Sequence, residues 1–252
     1  MRVRAAGIPA VFLPGWGLGK APLARILSED TAMSCRWQVW DLPGGADTPT
    51  HFTEARDALL ARLPPVVHLG GWSLGALLAL AIARHAPERV QSLALVSATP
   101  SFLQRPEWPW GISPAELRAF SRNLRRASGV PQLRNRLIAQ FVSRFCAGDT
   151  KAETTSRFLL ETADPPPPAA LMAGLGWLAE ADLRDGLARV ACPVTLIHGE
   201  NDPLMPLAAG AWLATHLPHA RLIALPGKAH APFCDSAPTP GCTRFLRECA
   251  SP

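Results

Sequence analysis

The sequence predicts an α/β fold: a mostly parallel, doubly wound sheet interrupted by an inserted helical lid. Three observations carry that prediction. Short β-branched or apolar runs alternate with amphipathic or alanine-rich helical patterns, as in chained βαβ units. Each run is followed by a loop rich in Gly, Pro, Asp or Ser, at the strand end where such sheets build their sites. One long segment, residues 105–182, has helical periodicity and no strand pattern.

The predicted strands are residues 10–13, 39–42, 66–69, 93–97, 194–198 and 221–225. The N-terminal Met1-Arg2-Val3-Arg4 is basic and leads into an apolar stretch, but Pro9 and Pro14 interrupt it. It reads as the approach to the first core strand rather than as a signal peptide. After the fourth strand the pattern changes. Ser113-Pro114-Ala115-Glu116 is a capping box with proline at the first helical position, followed by an apolar stripe of Leu117, Phe120 and Leu124. A second helix over about 132–146 carries Leu133, Leu137, Ile138, Phe141, Val142 and Phe145. The prolines 165–168 are a rigid spacer before a last helix near 171–178. The chain thus divides into a core (1–104), a helical lid (105–182) and the rest of the core (183–252).

Composition narrows the class. Of 252 residues, 48% are hydrophobic and 18% charged, as in a globular enzyme. The longest uncharged helical run, near 74–83, is far short of the roughly 20 residues a membrane span requires. Six cysteines (Cys35, Cys146, Cys192, Cys234, Cys242 and Cys249) are scattered without C-x-x-C or a Cys/His cluster. That spacing argues against a zinc site and a compact disulfide framework. Reduced thiols in a cytoplasmic monomer are expected, with Cys242 and Cys249 the candidates for exposure. The chemistry below calls for no metal and no organic cofactor.

Ser73 lies in Gly71-Trp72-Ser73-Leu74-Gly75, between an apolar run and a small-residue helical stretch. This G-x-S-x-G in a strand–turn–helix setting is the nucleophile elbow of an α/β-hydrolase fold. A serine hydroxyl needs a general base, and the base an orienting carboxylate, in the chain order Ser, Asp/Glu, His. The candidate acid is Asp202, within Gly199-Glu200-Asn201-Asp202-Pro203 just past a strand; Glu200 is its rival. The candidate base is His230, in the loop after the last strand. The other histidines read as surface or core residues: His51 and His85 at helix ends, His68 and His198 in strands, His216 and His219 flanking a helix end. An oxyanion hole needs two backbone N–H groups, expected from Leu74 and from Trp16 in Pro14-Gly15-Trp16-Gly17.

With Gly15-Trp16-Gly17-Leu18, Asp41-Leu42-Pro43-Gly44, Gly71-Trp72-Ser73-Leu74-Gly75, Pro87-Glu88-Arg89-Val90-Gln91, Glu107-Trp108-Pro109 and Lys228-Ala229-His230-Ala231-Pro232-Phe233, the chain resembles the pimeloyl-[acyl-carrier protein] methyl ester esterases (BioH-type carboxylesterases). The similarity runs over almost the whole chain and is weakest over 125–181. It implies hydrolysis of the methyl ester of a pimeloyl group carried on acyl-carrier protein, in biotin biosynthesis, with release of methanol. It also implies that Trp16, Trp72 and Phe141 contact the substrate, and that Arg136, Lys151 and Arg157 fall near basic docking positions. Two departures stand out. Pro14 replaces the family's usual His before Gly-Trp-Gly, and proline has no N–H to donate. The N-terminal strand pair common in this fold is shortened or absent.

An independent feature points to the same kind of partner. Arg118, Arg122, Arg125, Arg126, Arg134, Arg136 and Arg144 lie in a stretch without an acidic residue, so it carries +7 of a chain whose net charge is +5. Arg118, Arg122, Arg125 and Arg126 share one helical face. A merely solvated face would mix signs; this one suits an acidic carrier protein. Nucleic acid would also favour it, but no nucleic-acid motif accompanies it. The alternatives are a general short-chain carboxylesterase or thioesterase without a carrier partner, and a hydrolase-like binding module, against which the intact triad argues.

Overall fold

The computed structural model describes residues 7–29, 37–45 and 47–234. Cys35, Cys242, Cys249 and the basic Met1–Arg4 segment, with the expectations attached to them, lie outside those residues. Within them, β1 (Ala10–Leu13), β2 (Trp37–Val39), β3 (Val67–Trp72), β4 (Val90–Val96), β5 (Val194–Gly199) and β6 (Ala220–Leu225) form one sheet. Its order is β2-β1-β3-β4-β5-β6, with every neighbouring pair parallel. The order reverses between β1 and β3, which creates a crevice at their carboxyl ends. Among the described residues no strand precedes β1.

Crossovers run through α1 (Ala21–Glu29), α2 (Phe52–Arg62), α3 (Leu74–His85) and, before β6, α8 (Leu207–His216). Helix α3 is buried from Leu74 to Ala83, and that explains its unbroken run of small and aliphatic residues. Between β4 and β5 lie α4 (Pro114–Arg126), α5 (Pro131–Cys146), α6 (Ala152–Thr162) and α7 (Pro168–Glu180). Ser113 caps α4 by accepting the Glu116 N–H at 3.1 Å. An Arg144–Glu116 ion pair ties α5 to α4, and α7 is anchored to the core where the Trp177 indole donates to the Pro49 carbonyl at 3.2 Å.

The class, the parallel sheet and the strandless helical segment agree with the sequence reading. Several bounds differ from it, β4 for one starting at Val90 and not at 93, and three differences have a clear physical reason. β2 ends at Val39 instead of starting there: β1 offers only Ala10 to Phe12 as partners, and the ladder closes with Trp40 N–H to the Phe12 carbonyl at 3.1 Å. β3 continues through Gly70 and Gly71, because Gly70 must pass the Phe12 ring, which a Cβ there would strike. Helix α6 has no counterpart in the prediction: its Thr-Thr-Ser run is a poor helix former, and it buries only a narrow stripe with Thr155 and Leu159.

Candidate active site

Strand β3 ends at Trp72 and α3 begins at Leu74, so Ser73 alone makes the reversal, at φ 56° and ψ −118°. A non-glycine residue held there costs about 1–3 kcal/mol and aims its side chain out of the turn. The flanking glycines allow it: a Cβ on Gly71 would collide with the Gly75 carbonyl, and one on Gly75 with the Leu13 carbonyl. Ser73 sits at the positive end of the α3 dipole.

His230 connects Ser73 to Asp202. Its Nε2 lies 3.0 Å from Ser73 Oγ and its Nδ1 2.8 Å from Asp202 Oδ2. A carboxylate only accepts, so Nδ1 donates and Nε2 is left to receive the serine proton. Ser73, Asp202 and His230 are 7%, 5% and 1% exposed, so this chain of hydrogen bonds is shielded from water. The Asp202 carboxylate is fixed from its other side as well: Oδ1 accepts the N–H groups of Leu204 and Met205, each at 2.9 Å. Burial pushes the Asp202 pKa up, but the attraction of His230 and hydrogen bonds from His198 and His230 outweigh it. The net result is a carboxyl held well below the usual range. Glu200, the rival acid, is exposed at the start of the loop.

Several contacts hold the His230 loop. The Trp72 indole donates to the His230 carbonyl at 2.8 Å, and the His230 N–H reaches the Phe145 carbonyl on α5 at 3.3 Å. Between α5 and α6, buried Asp149 accepts the Ala229 N–H (3.4 Å) and the Lys151 N–H (2.7 Å). Thr150 N–H donates to the Gly227 carbonyl at 2.8 Å, and the Asn201 side chain to the Gly148 carbonyl at 2.8 Å. The corner between α5 and α6 therefore grips both the acid loop and the base loop. Sequence reasoning missed Asp149 and Phe145 in this role, since only tertiary contact reveals it.

Leu74 is the first residue of α3, so its N–H has no partner within the helix. Trp16 lies on the loop after β1. Pro14 cannot anchor that loop through an N–H, and other contacts do so instead. The Trp16 indole donates to the Leu171 carbonyl of α7 at 2.8 Å, Asp164 N–H to the Leu18 carbonyl at 3.0 Å, and Gly15 packs on the Trp72 ring so closely that a Cβ would sit 2.8 Å from it. The Trp16 ring meets Phe141 and Phe120 edge-on at 5.3 and 5.6 Å, and Phe141 meets Phe145 at 5.3 Å. Phe141 is half-buried, whereas Trp72 is buried, wedged among Phe145, Phe233 and His230. A cavity of about 380 Å³ opens beside Trp16 and Leu74, walled by Leu42, Pro166, Ala170 and Trp177.

Arg118, Arg122, Arg125, Arg126, Arg136, Lys151 and Arg157 are all exposed. Arg118, Arg122 and Arg125 line a groove of about 400 Å³ between α4 and α7, with Leu117, Met172 and Leu175 in its floor; Arg126, Arg136, Lys151 and Arg157 lie outside that groove. Of the remaining histidines, His51, His85, His216 and His219 are exposed and His68 and His198 buried. Cys146, Cys192 and Cys234 are buried, and burial pushes the thiols of Cys146 and Cys192 up to about 11. The described residues include no helix long and apolar enough to cross a membrane.

Residues 10–238 match the model of the alpha/beta hydrolase family. The chain is 38% identical over 233 residues to the pimeloyl-[acyl-carrier protein] methyl ester esterase of Nitrosomonas europaea, covering 90% of each chain. It is 38% identical to the enzyme of the same name from Aromatoleum aromaticum, covering 88% of this chain and 91% of that one. Among solved structures, a thermophilic esterase from Thermogutta terrifontis superposes with a TM-score of 0.75 at 20% identity, over 97% of this chain and 91% of that one.

Proposed function

The chain belongs to the alpha/beta hydrolase family, and we propose that it is a serine carboxylesterase that cleaves the methyl ester of a pimeloyl group carried on acyl-carrier protein, as its relatives are named for doing. The observation that carries this reading is the buried, continuous hydrogen-bonded chain from Ser73 through His230 to Asp202. In the first step Ser73 Oγ attacks the ester carbonyl carbon while His230 Nε2 takes its proton. The Leu74 and Trp16 N–H groups receive the developing oxyanion, helped by the α3 dipole. Collapse expels methanol, which leaves with the proton from His230. Water, deprotonated by His230, then attacks the acyl-serine and releases the free carboxylate with Ser73 restored.

Trp16 and Phe141, joined by Phe120, form an apolar wall for the acyl chain, and Trp72 backs the nucleophile and fixes the His230 loop. The helical segment 105–182 acts as the lid. Its groove between α4 and α7, with Arg118, Arg122 and Arg125 above an apolar floor, suits an acidic, amphipathic protein surface, and Arg126, Arg136, Lys151 and Arg157 extend the positive field that steers it. A biosynthetic role of this kind belongs in the cytoplasm.

The test compares hydrolysis of pimeloyl methyl ester on carrier protein with that of free short esters, alongside labelling by a serine-directed fluorophosphonate. A single adduct at Ser73 and a strong preference for the carrier-bound ester are expected. Equal turnover of free esters supports a general short-chain esterase instead, and no adduct at Ser73 overturns the catalytic reading.

A further inference from the structure

His198, the penultimate residue of β5, is a fully buried titratable residue beside the triad that takes no part in the steps above; it is 0% exposed. Its Nε2 lies 2.6 Å from the Met205 carbonyl and 3.5 Å from Asp202 Oδ2. A carbonyl only accepts, so Nε2 carries the ring proton and shares it between the two oxygens. Among the described residues its Nδ1 has no hydrogen-bond partner, and it faces α8, where a Cβ on Gly210 would come within 2.6 Å of it. The ring is thus clamped from behind, with its N–H aimed at the acid loop. We propose that His198 is a positioning residue for catalysis: a fixed N–H donor that holds Met205 and Asp202 Oδ2 in register, so that Asp202 presents that oxygen to His230.

The environment supports one direction of aim. Asp202 Oδ1 is already taken by Leu204 and Met205 N–H, and Oδ2 is the oxygen His230 uses. Without His198, Oδ2 keeps His230 as its one described partner, and the carboxylate is held only by that bond and by the two N–H groups on Oδ1. The Met205 carbonyl would at the same time lose its buried donor, loosening the segment that supplies the two N–H groups to Oδ1. The pattern was hard to read in sequence, where a strand histidine four residues before an aspartate looks like core packing; only the loop's return to the strand brings the two side chains together.

This inference rests on the Ser73 reading, and its test uses p-nitrophenyl acetate so that no carrier protein is required. Three substitutions are compared, each alone and with Asp202→Asn: His198→Phe, which keeps the ring and removes the donor; His198→Gln, whose amide N–H can stand near Nε2; and His198→Asn, whose amide is too short to reach. His198→Phe and His198→Asn are expected to lower kcat about tenfold, the scale of a misplaced catalytic group, with KM within twofold. His198→Gln is expected to recover most of the loss, and none of the three to lower kcat further once Asp202 is Asn. If His198→Phe does not fold, the Asn and Gln pair carries the same comparison. Unchanged kcat, failure of Gln to exceed Asn, or equal losses in the Asp202→Asn background would overturn the proposal. Activity that survives Ser73→Ala would instead overturn the catalytic reading itself.

Discussion

The loops at the carboxyl ends of the strands and the helices inserted between β4 and β5 are built on opposite plans. The loops are dense with satisfied, buried polar contacts: in Ser73, Asp202 and His230 nearly every heteroatom has a partner at hydrogen-bond distance. The insertion offers that site aromatic rings on its inner side and, along the α4–α7 groove, three arginines without an acidic neighbour in the lining. The two meet through the corner of α5 and α6, where Phe145, Gly148, Asp149 and Thr150 contact the acid and base loops. The two plans divide the labour. On the proposed reading, bond breaking depends on groups held by the sheet and braced by the α5–α6 corner, and the choice and delivery of the ester depend on the α4–α7 face, away from that corner.

That division can be broken at several points. Ser73→Ala should reduce ester hydrolysis at least about 10⁴-fold, and Asp202→Asn by a comparable factor, with the fold retained by circular dichroism. Losses of tenfold or less in both would mean that the sheet-held triad is not the seat of reaction. Asp149→Ala probes the joint: it strands the buried Ala229 N–H, so unfolding free energy in urea should fall by about 1–3 kcal/mol and kcat severalfold, on carrier-bound and free esters alike. A loss confined to carrier-bound substrate would move this corner from the catalytic to the delivery side.

Gly210→Ala sets two effects against each other. Alanine in a helix gains about 1 kcal/mol over glycine, but its Cβ would press on His198 Nδ1. Displacement of the ring should win, so kcat falls although no atom of the triad is touched; an enzyme as active as wild type and more stable would show that the ring has room. The smallest effect expected is in pH dependence. The Asp202 pKa is depressed in the folded state, so its stabilisation is complete above the unfolded value of about 4 and is lost as pH falls through the folded value. Denaturation of wild type and Asp202→Asn should therefore show a gap that narrows as pH drops below about 4; a gap that widens there would reverse the sign of the coupling.

How legible this was in sequence followed the same division. The elbow, the acid loop and the base loop sit at strand ends and obey fixed local sterics, so Gly71-Trp72-Ser73-Leu74-Gly75 and the chain order of Asp202 and His230 could be read from residue types alone. What escaped was tertiary. Trp72 reads as a substrate contact beside the serine, yet its indole fixes the His230 carbonyl from within the core. Helix α6 lacks both a cap and good helix formers, and its stability comes from packing on α5. Asp149 and His198 matter through groups 80 and 4 residues away in sequence, and no periodicity marks them. Pro14 has no N–H with which to anchor the loop after β1, and the Trp16–Leu171 bond that helps hold that loop joins residues 155 apart in sequence.

In the proposed function the arginine groove delivers an ester to a triad that works independently of it. The most direct measurement is kcat/KM of Arg118→Glu/Arg122→Glu/Arg125→Glu against wild type, on carrier-bound pimeloyl methyl ester and on free dimethyl pimelate, at low and high salt. A loss of about tenfold or more is expected on the carrier-bound ester at low salt, shrinking as salt screens the wild-type advantage, with the free ester unchanged. Equal values on the carrier-bound ester, or equal losses on both, would contradict it.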